Sequence, residues 1–394
     1  MNEIGIVVIG YNRSDSIMRL LNRLNDCYYF DDSVKLIVSL DNCGTTEVEE
    51  SVREFLWNHG EKYVHTYPKR LGLRKHILTC GDFIDKYDLD AIVVFEDDVY
   101  PSLGFFNYAK QTVEKYQTNQ SIAGISLYGH KWNIHADLPF SPRNNGQYDT
   151  FFLKVAQSWG QIWMKEQWKE FIEWYHLHEE FAPSDDVPQI YSLWPKSSWL
   201  KYHNQYCIET GKYFVYPFKA LSTCFADAGE HALNNSSLFQ IEFEEDYGKH
   251  YRMPDLDDSA CVYDAYFESE ELKFILENEL KDEVCIDLYG KKIKKNGRYI
   301  VSTATLPYKK IKSFGLDLRP IEMNVICGIE GDAISIYDSS ISEHANAEKQ
   351  KEFMNWLYHQ KQIPSWGIVS NIIQYKVKYK LYMLKKKIRA IKRR

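Results

Sequence analysis

Three adjacent acidic residues end an otherwise apolar stretch of this chain, VVFEDDV at positions 93–99. The apolar residues suit a buried strand, whereas Glu96, Asp97 and Asp98 repel one another and lose hydration on folding. Adjacent carboxylates are typical ligands of a hard divalent cation such as Mg²⁺ or Mn²⁺, and a bound cation relieves their repulsion. The pattern therefore predicts a metal-dependent site at the end of this strand.

The acidic stretch has two other interpretations. Two of the carboxylates can serve as a general acid/base pair, or the cluster can cap a helix predicted at Leu103–Tyr116. Side chains alternate along a strand. We therefore expect Glu96 and Asp98 to share one face and Asp97 to point the other way, unless the chain bends there.

The elements that must position these acids alternate between strands and helices. Apolar runs that predict strands lie at Ile4–Gly10, Val34–Leu40, Tyr63–Thr66 and Ala91–Phe95. Segments with helical spacing are Ile17–Leu24, Val48–Trp57 and Leu73–Tyr87. This order predicts an α/β fold with a mainly parallel sheet that is covered by helices on both faces.

Polar residues follow three of the predicted strands at the point where each strand ends. They are Asn12-Arg13, Asp41-Asn42 and the acidic cluster. In a parallel α/β sheet the ligand crevice lies beyond the carboxyl ends of the strands. We therefore expect all three groups to face one crevice, although a solvated loop is the alternative for any one of them alone.

The composition is that of a folded protein. The chain has 394 residues, is 44% hydrophobic and contains 29 Tyr and 10 Trp, which suggests two or three domains. No apolar run reaches the roughly 18–20 residues of a membrane-spanning helix, and no basic segment precedes the first strand. Eight cysteines lie singly without a CxxC pair. We expect a cytosolic protein with reduced thiols and no zinc site.

The later part of the chain changes character. Residues 150–250 are rich in aromatic side chains, and from Val284 short strands with turns at 295–297 and 330–332 predict hairpins. After Glu343 the pattern becomes helical. We predict a main domain at 1–265, an accessory β-rich region at 266–345 and a helical region at 346–394.

The last segment, Gly367–Arg394, has ten Lys or Arg and no acidic residue. The rest of the chain has 38 Lys and Arg against 55 Asp and Glu, so an acidic body ends in a basic tail. Apolar residues recur on one helical stripe at Ile373, Val377, Leu381, Leu384, Ile388 and Ile391. This amphipathic pattern predicts a helix that lies on an anionic membrane surface. An RNA-binding tail and a helix docked on the protein itself are the alternatives.

Several segments together resemble a known family. VIGYNRS (8–14), IVSLDNCG (37–44) and VVFEDDV (93–99) resemble the first strand, the second strand and the D-x-D motif of GT-A fold glycosyltransferases. The segments that resemble acceptor-side elements of that family are WGQIWMKEQW (159–168), WPKSSW (194–199) and CFADAGEHA (224–232). The pattern is most similar to the N-acetylglucosaminyltransferase I type and to bacterial family-2-like polysaccharide transferases.

The resemblance implies roles for individual residues on the donor side. Arg13 and Asp41 would bind the nucleotide, with uracil and ribose as the groups recognised. Asp98 would hold Mn²⁺ or Mg²⁺, Asp97 would hold ribose or donor sugar, and Glu96 would orient its neighbours or the donor hydroxyls. A basic residue of the trio Arg74, Lys75 and His76 would lie near the nucleotide, with Lys75 our choice for the site; a solvated helix face is the alternative for this trio.

The catalytic base does not transfer from the family. Acidic residues follow the matching Trp in the N-acetylglucosaminyltransferase I type, but Leu200 and Lys201 follow Trp199 here. The candidates for the base are then Asp227 and Glu230 in the FADAGEH segment, and Asp186. His231 is a candidate further metal ligand.

The expected function is transfer of a sugar from a nucleotide diphosphate donor, a UDP-sugar, to a glycan or lipid-linked acceptor in bacterial surface polysaccharide synthesis, with inversion implied by the family. We expect a location on the inner face of the cytoplasmic membrane and no nucleic-acid partner. The rival functions are a nucleotidyltransferase, which normally needs a glycine-rich phosphate loop that Tyr11-Asn12-Arg13-Ser14 does not provide, and a non-catalytic glycan-binding protein.

Overall fold

A computed structural model describes residues 2–144, 146–227, 240–258 and 260–344, and the single residues 373, 376, 377, 380 and 381. The strands are β1 (Ile4–Gly10), β2 (Leu36–Leu40), β3 (Lys62–Thr66), β4 (Ala91–Glu96), β5 (Val99–Pro101), β6 (Ile122–Ser126), β7 (Trp132–Asn133), β8 (Leu138–Pro139), β9 (Thr150–Leu153), β10 (Gln161–Met164), β11 (Tyr213–Pro217), β12 (Ser222–Cys224), β13 (Val262–Tyr263), β14 (Val284–Asp287), β15 (Tyr299–Ser302), β16 (Tyr308–Phe314) and β17 (Ile334–Ser342). The helices are α1 (Ser14–Asp26), α2 (Glu47–Glu54), α3 (Leu73–Gly81), α4 (Phe83–Lys86), α5 (Phe105–Tyr116), α6 (Lys165–Leu177), α7 (Leu200–Thr210), α8 (Glu270–Leu280) and α9 (Met323–Ile326), with short 3₁₀ turns at Gln189–Leu193 and Leu256–Asp258.

Nine strands form the larger sheet of the described residues, in the order β13-β9-β11-β6-β10-β4-β1-β2-β3. The four strands β3, β2, β1 and β4 are parallel to one another. Strand β10 runs antiparallel between β4 and β6, and the remaining pairings of β6, β11, β9 and β13 are mixed. The predicted α/β class with a mainly parallel sheet is confirmed.

Helices cover both faces of this sheet. Because side chains alternate along a strand, Val8 packs in one apolar core and its neighbour Val7 in the other. The first core takes Leu20 of α1 and the second takes Phe171 of α6. Burial on both faces explains why β1 is apolar throughout its seven buried positions.

The helical pattern predicted at Leu73–Tyr87 divides into α3 and α4. The division falls at Gly81 and Asp82. A Cβ atom at Gly81 would overlap the indole of Trp168, so a glycine is required where α3 packs against α6. The helical spacing of the sequence is therefore correct, but it does not reveal this close approach.

A second unit follows the main sheet. Its four strands have the order β14-β15-β17-β16. They pack with α8 around an apolar core that includes Leu272. The hairpin predicted around the turn at 295–297 is wrong, because β14 pairs with β15 in parallel and this turn lies within the connection between them. Strand β17, which follows the turn at 330–332, pairs with β16 in antiparallel fashion. The domain boundary at 265/266 stays a prediction.

Polar contacts join this accessory unit to the main domain. Tyr263 donates a hydrogen bond to Glu322 over 2.7 Å, and Lys292 lies 2.5 Å from Asp264. Arg143 pairs with Glu271 at the start of α8. Burial raises the pKa of Glu322 to about 7 against the effect of the Tyr263 hydrogen bond.

Two chain-wide features concern thiols and hydropathy. All eight cysteines are free. Among the described residues, no helix combines the length and the apolar character needed to cross a bilayer.

A buried histidine in α7 makes the stability of the fold sensitive to acid. His203 is 1% exposed, its ring stacks on Phe171 at 4.2 Å, and neither ring nitrogen has a hydrogen-bond partner among the described residues. Burial lowers the pKa of His203 to about 3. The unfolded chain, with a pKa of about 6.5, therefore takes up a proton between these values that the folded protein does not.

We expect this proton uptake to lower the free energy of unfolding by about 1.4 kcal/mol for each pH unit between about pH 6 and 4. His203→Phe should make the pH dependence shallower by about that slope. Urea denaturation at several pH values measures it. His250→Phe, at an exposed position, is the control that should leave the slope unchanged, and equal slopes for wild type and His203→Phe would contradict the prediction.

Candidate active site

The three acids lie where the chain turns away from the larger sheet. Strand β4 ends at Glu96, Asp97 and Asp98 form the turn, and β5 then pairs antiparallel with β12. The backbone carbonyl of Asp98 accepts a hydrogen bond from the Phe225 amide over 2.8 Å. The ribbon of β5 and β12 thus brings Phe225–Asp227, the described start of the FADAGEH segment, against the acids.

The chain turns at the acids, which is the exception that the predicted alternation allowed. The side chains of Asp97 and Asp98 both contact Arg13. The alternative in which the acids cap a helix does not hold, since β5 separates them from α5, whose N-cap residue is Gly104 without a side-chain cap.

Arg13 connects the end of β1 to the acids at the end of β4. Its guanidinium makes two bonds to Asp97, through Nη2 and through Nε at 3.1 Å, and one to Asp98 Oδ2 at 3.2 Å. Its Nη1 also donates to the carbonyl of Asp227 over 3.1 Å. Burial opposes the charge, but hydrogen bonds and charges from both acids outweigh it and raise the pKa of Arg13 above its ordinary value.

Glu96 and Asp97 differ in how far their pKa values are raised. Burial raises the pKa of Glu96 to about 8, with the charges of Asp98 and Asp97 acting in the same direction, although Arg13 and Ser158 oppose the rise. Burial raises the pKa of Asp97 to about 6 even though it bonds to Arg13. Burial thus favours the protonated form of Glu96 more strongly than that of Asp97, which is the ion-pair partner of Arg13.

The residues fit a divalent cation with few protein ligands. Among the described residues no group of three or more His, Cys, Asp or Glu side chains is arranged to hold a metal. Asp97 makes two hydrogen bonds to Arg13, whereas Asp98 makes one, and 15% of the Asp98 side chain is exposed. Mg²⁺ and Mn²⁺ commonly use one or two carboxylates together with substrate phosphates, so Asp98 is the suitable ligand.

The candidate bases lie in different surroundings. Asp227 reaches the cluster, but it pairs with Arg19 and accepts a hydrogen bond from Ser16 over 2.8 Å. Burial favours a higher pKa for Asp227, yet these partners outweigh it and hold the pKa below its ordinary value. A low pKa makes a weak base, so the structure favours a role for Asp227 in holding Arg19.

The remaining candidates do not join the acidic cluster. Asp186 lines another cleft, which none of Arg13, Asp97 and Asp98 lines. Glu230 and His231 lie outside the described residues.

A cleft lies beyond the ends of β1, β2 and β3. It has a volume of about 250 Å³ and is lined by Tyr11, by Asp41 and the residues after it, and by Tyr67. The Arg70 guanidinium lies 4.7 Å from the centre of the Tyr11 ring. Of the three polar groups expected to face one crevice, Asp41-Asn42 lines this cleft, whereas Arg13 and the acids do not, so the shared crevice stays a prediction.

Asp41 is tied to the backbone around it. Its carboxylate accepts hydrogen bonds from the amides of Leu71 at 2.7 Å, Gly72 at 2.9 Å and Asn42 at 2.8 Å. Asp41 is 5% exposed. These contacts make it the anchor of the loop that leads to α3, a role that the sequence did not indicate.

We expect Asp41→Ala to lower the free energy of unfolding by about 2 kcal/mol, because three backbone amides lose their acceptor. The nucleotide role that the resemblance implies for Asp41 predicts a higher donor KM as well, since the loop that carries Arg70 against Tyr11 is loosened. Chemical denaturation and donor titration measure the two effects. Glu49→Ala, in the same cleft but paired with exposed Arg53, is the control. Unchanged stability of Asp41→Ala would refute the anchoring role.

The three basic residues at the start of α3 lie in three different environments. Arg74 donates to the hydroxyl of Tyr202 over 2.5 Å. Lys75 is exposed. His76 is 2% exposed, its Nε2 lies 2.8 Å from Ser39 Oγ, and burial lowers its pKa to about 4. His76 is thus part of the interior, and the role of Lys75 stays a prediction.

The sequence reading missed two residues that complete the cluster. Ser16 and Arg19 both bind Asp227 from α1. They follow Arg13 at intervals of three residues, a spacing that places side chains on one helical face. This spacing is the feature of the sequence that indicates Ser16 and Arg19.

Comparison with known proteins gives partial structural matches. No protein-family model matches the chain, and no curated protein matches it. The mannosyltransferase PcManGT from Pyrobaculum calidifontis in complex with GDP-Man and Mn²⁺ matches at 12% identity over 55% of this chain and 55% of that chain, with a TM-score of 0.36. S. aureus TarS 1-349 in complex with UDP-GlcNAc matches at 13% identity over 58% of this chain and 60% of that chain, with a TM-score of 0.38. GalNAc-T7 with UDP, GalNAc and Mn²⁺ matches at 12% identity over 55% of this chain and 43% of that chain, with a TM-score of 0.37.

The chain thus spans less than two thirds of each of these solved structures, and the likeness is too low to carry an argument about activity. What defines the class of this protein is its own architecture. It is an α/β protein with a large, mostly parallel sheet, a separate small β unit and a cluster of Arg13 with two acids at the carboxyl ends of β1 and β4.

Proposed function

We propose that this chain is a metal-dependent glycosyltransferase of the GT-A class. It would move a sugar from a nucleotide diphosphate donor, a UDP-sugar, to a glycan or lipid-linked acceptor in bacterial surface polysaccharide synthesis, with inversion. The observation that carries the proposal is the cluster of Arg13, Asp97 and Asp98 at the carboxyl ends of β1 and β4. A cleft of about 250 Å³ lies at the ends of the neighbouring strands β1, β2 and β3. The motif resemblance of these segments supports it.

Each residue of the cluster has a chemical role in this proposal. A divalent cation held by Asp98 would neutralise charge on the leaving diphosphate. Asp97 holds Arg13 in place through two bonds, which keeps a second positive group beside the developing charge. Glu96, whose pKa burial raises, can in its protonated form donate a hydrogen bond to a hydroxyl of the sugar donor.

The rival functions fit the geometry less well. A nucleotidyltransferase would use the loop after β1 to cradle phosphates with backbone amides, yet here that loop carries Arg13 into the acids. A glycan-binding protein without catalysis has no need of buried acids, since their desolvation destabilises the fold. Burial raises the pKa of Glu96 and Asp97, which demonstrates that cost.

Titration with UDP and with a panel of UDP-sugars, with and without Mn²⁺, tests the proposal. We expect Mn²⁺ to tighten UDP binding and to support slow hydrolysis of one UDP-sugar. UDP binding without hydrolysis of any sugar donor would favour the binding protein. Binding of nucleoside triphosphates in preference to UDP would favour the nucleotidyltransferase.

We also propose that the basic tail binds the membrane, which places the enzyme beside a lipid-linked acceptor on the cytoplasmic side. The predicted helix Gly367–Arg394 lies outside the described residues except for five positions. All five are helical, and the three apolar ones, Ile373, Val377 and Leu381, are each more than half exposed. Exposure of these three residues supports membrane contact over docking on the protein, and each nearby Lys or Arg adds about 1 kcal/mol of attraction to anionic lipid.

Deletion of 367–394 should release the protein from anionic vesicles and leave transfer to a soluble acceptor analogue nearly unchanged. Co-sedimentation with phosphatidylglycerol vesicles measures the first effect, and phosphatidylcholine vesicles provide the control. Equal vesicle binding by the truncated and full-length proteins would rule out the anchor.

A further inference from the structure

A second cleft lies between the main domain and the accessory unit. It has a volume of about 370 Å³, which is within the usual range for ligand sites. Its buried lining includes Ala265 and Ile286, one from each side of the junction. No residue of the acidic cluster lines it, so it is separate from the crevice described above.

The cleft is highly charged but electrically balanced. It is lined by four carboxylates and four ammonium groups, those of Asp185, Asp186, Asp264, Glu270, Lys154, Lys273, Lys292 and Lys294. The deeper groups form pairs, Lys292 with Asp264 at 2.5 Å and Lys154 with Glu270 at 3.3 Å. These pairs neutralise the walls of the cleft.

The rim provides hydrogen-bonding groups that face solvent. Asp186 and Lys294 are exposed, as are Asp185, Lys273 and Asn296. Asp186 comes from the segment between α6 and α7, whereas Lys294 comes from the connection between β14 and β15. The rim therefore combines hydrogen-bond acceptors of the main domain with hydrogen-bond donors of the accessory unit.

This arrangement selects a class of ligand. A phosphate would favour unpaired cations, and a metal ion would favour unpaired carboxylates. A sugar hydroxyl both donates and accepts hydrogen bonds, so it can use a carboxylate and an ammonium group together. The balanced charge thus matches a neutral polyhydroxylated ligand, and the ring of Tyr266 offers an apolar surface beside it.

We propose that this cleft binds a neutral segment of a glycan. The identification of that glycan as the acceptor chain rests on the proposed transferase function, whereas the binding itself does not. In this assignment Asp186, a candidate base in the sequence, recognises the glycan instead of accepting a proton. The accessory unit then supplies half of a glycan subsite.

An array of immobilised neutral and acidic oligosaccharides tests the proposal, with the full-length protein and no nucleotide sugar present. We expect wild type to bind a subset of neutral glycans and the double variant Asp186→Ala/Lys294→Ala to bind them at least about tenfold more weakly. Thermal unfolding should be unchanged, because both side chains are exposed. The matched control is Lys309→Ala/Glu330→Ala, at exposed positions of the accessory unit that do not line the cleft.

Two results would overturn the proposal: binding of acidic glycans alone or of none, and equal binding by wild type and the Asp186/Lys294 variant. The outcome is independent of the transferase function, since no donor is present. In the converse experiment, UDP binding with Mn²⁺ should be the same for wild type and the double variant, because neither residue lines the nucleotide cleft. Loss of UDP binding in the double variant would count against a separate glycan site.

Discussion

Replacing Asp98 with alanine should reduce sugar transfer by at least about 10³-fold, which corresponds to about 4 kcal/mol of activation free energy. Of the two acids that bind Arg13, Asp98 makes the fewer hydrogen bonds, a single one over 3.2 Å. Without it the cation that offsets the diphosphate charge has lost its protein ligand, and metal-assisted charge stabilisation is worth several kcal/mol. Turnover of the donor at saturating Mn²⁺ measures the effect.

The fold of this variant should remain intact. The bond from the Phe225 amide goes to the backbone carbonyl of Asp98 and does not need its side chain. Asp98→Asn, which preserves shape and removes charge, should behave like Asp98→Ala. Asp255→Asn, at a well-exposed acid paired with Lys115, is the control with normal activity. Near-normal kcat of Asp98→Ala with Mn²⁺ would refute the metal-ligand role.

Replacing Arg13 with methionine should produce the largest loss of stability of the site variants, about 3 kcal/mol in metal-free protein. The side chain of Asp97 is 7% exposed and depends on Arg13 for its counter-charge. Removing one partner of a buried ion pair leaves the other charge uncompensated, which costs about 3–5 kcal/mol; the partial exposure of Arg13 places the value at the lower end. Chemical denaturation in the presence of a chelator measures it.

Manganese should recover part of this loss. A cation that enters the cluster takes over the role of the missing guanidinium, and a ligand that binds the folded state stabilises it by mass action. The melting temperature of Arg13→Met should therefore respond more strongly to Mn²⁺ than that of wild type. Arg252→Met, which breaks a more exposed pair with Asp149, should lose less than about 1 kcal/mol and show no Mn²⁺ effect beyond that of wild type. Equal Mn²⁺ responses of wild type and Arg13→Met would contradict the prediction.

The parts of the fold that the sequence predicts are those with strong local patterns. Strand β1 is found at Ile4–Gly10 as predicted, because a continuous apolar run followed by polar residues is typical of a strand buried on both faces. The parallel pairing of β14 with β15 was not predictable in this way. A strand's apolar pattern shows which residues are buried but not which neighbour it pairs with, and short strands separated by turn residues are equally typical of a hairpin.

The candidate site likewise has parts that the sequence predicts and parts that it does not. That polar residues after β1, β2 and β4 gather at the sheet edge follows from the topology of a parallel sheet. The contacts they make there depend on loops with no regular pattern. Asp41 binds the amides of Leu71 and Gly72 because the loop after β3 returns to it, and Asp97 turns towards Arg13 because the chain leaves the sheet at that residue.

The ribbon of β5 and β12 determines when the site is completed during protein synthesis. Strand β4 and Arg13 leave the ribosome early, whereas Ser222–Cys224 emerge after most of the main domain has been translated. The nascent chain can compensate its buried acids with Arg13 at once, but the strand that holds Asp98 from the other side arrives much later. Prematurely terminated chains would therefore contain Arg13 and the acids after β4 without the strand that faces them, and the cluster would be complete only after the late segment has folded back.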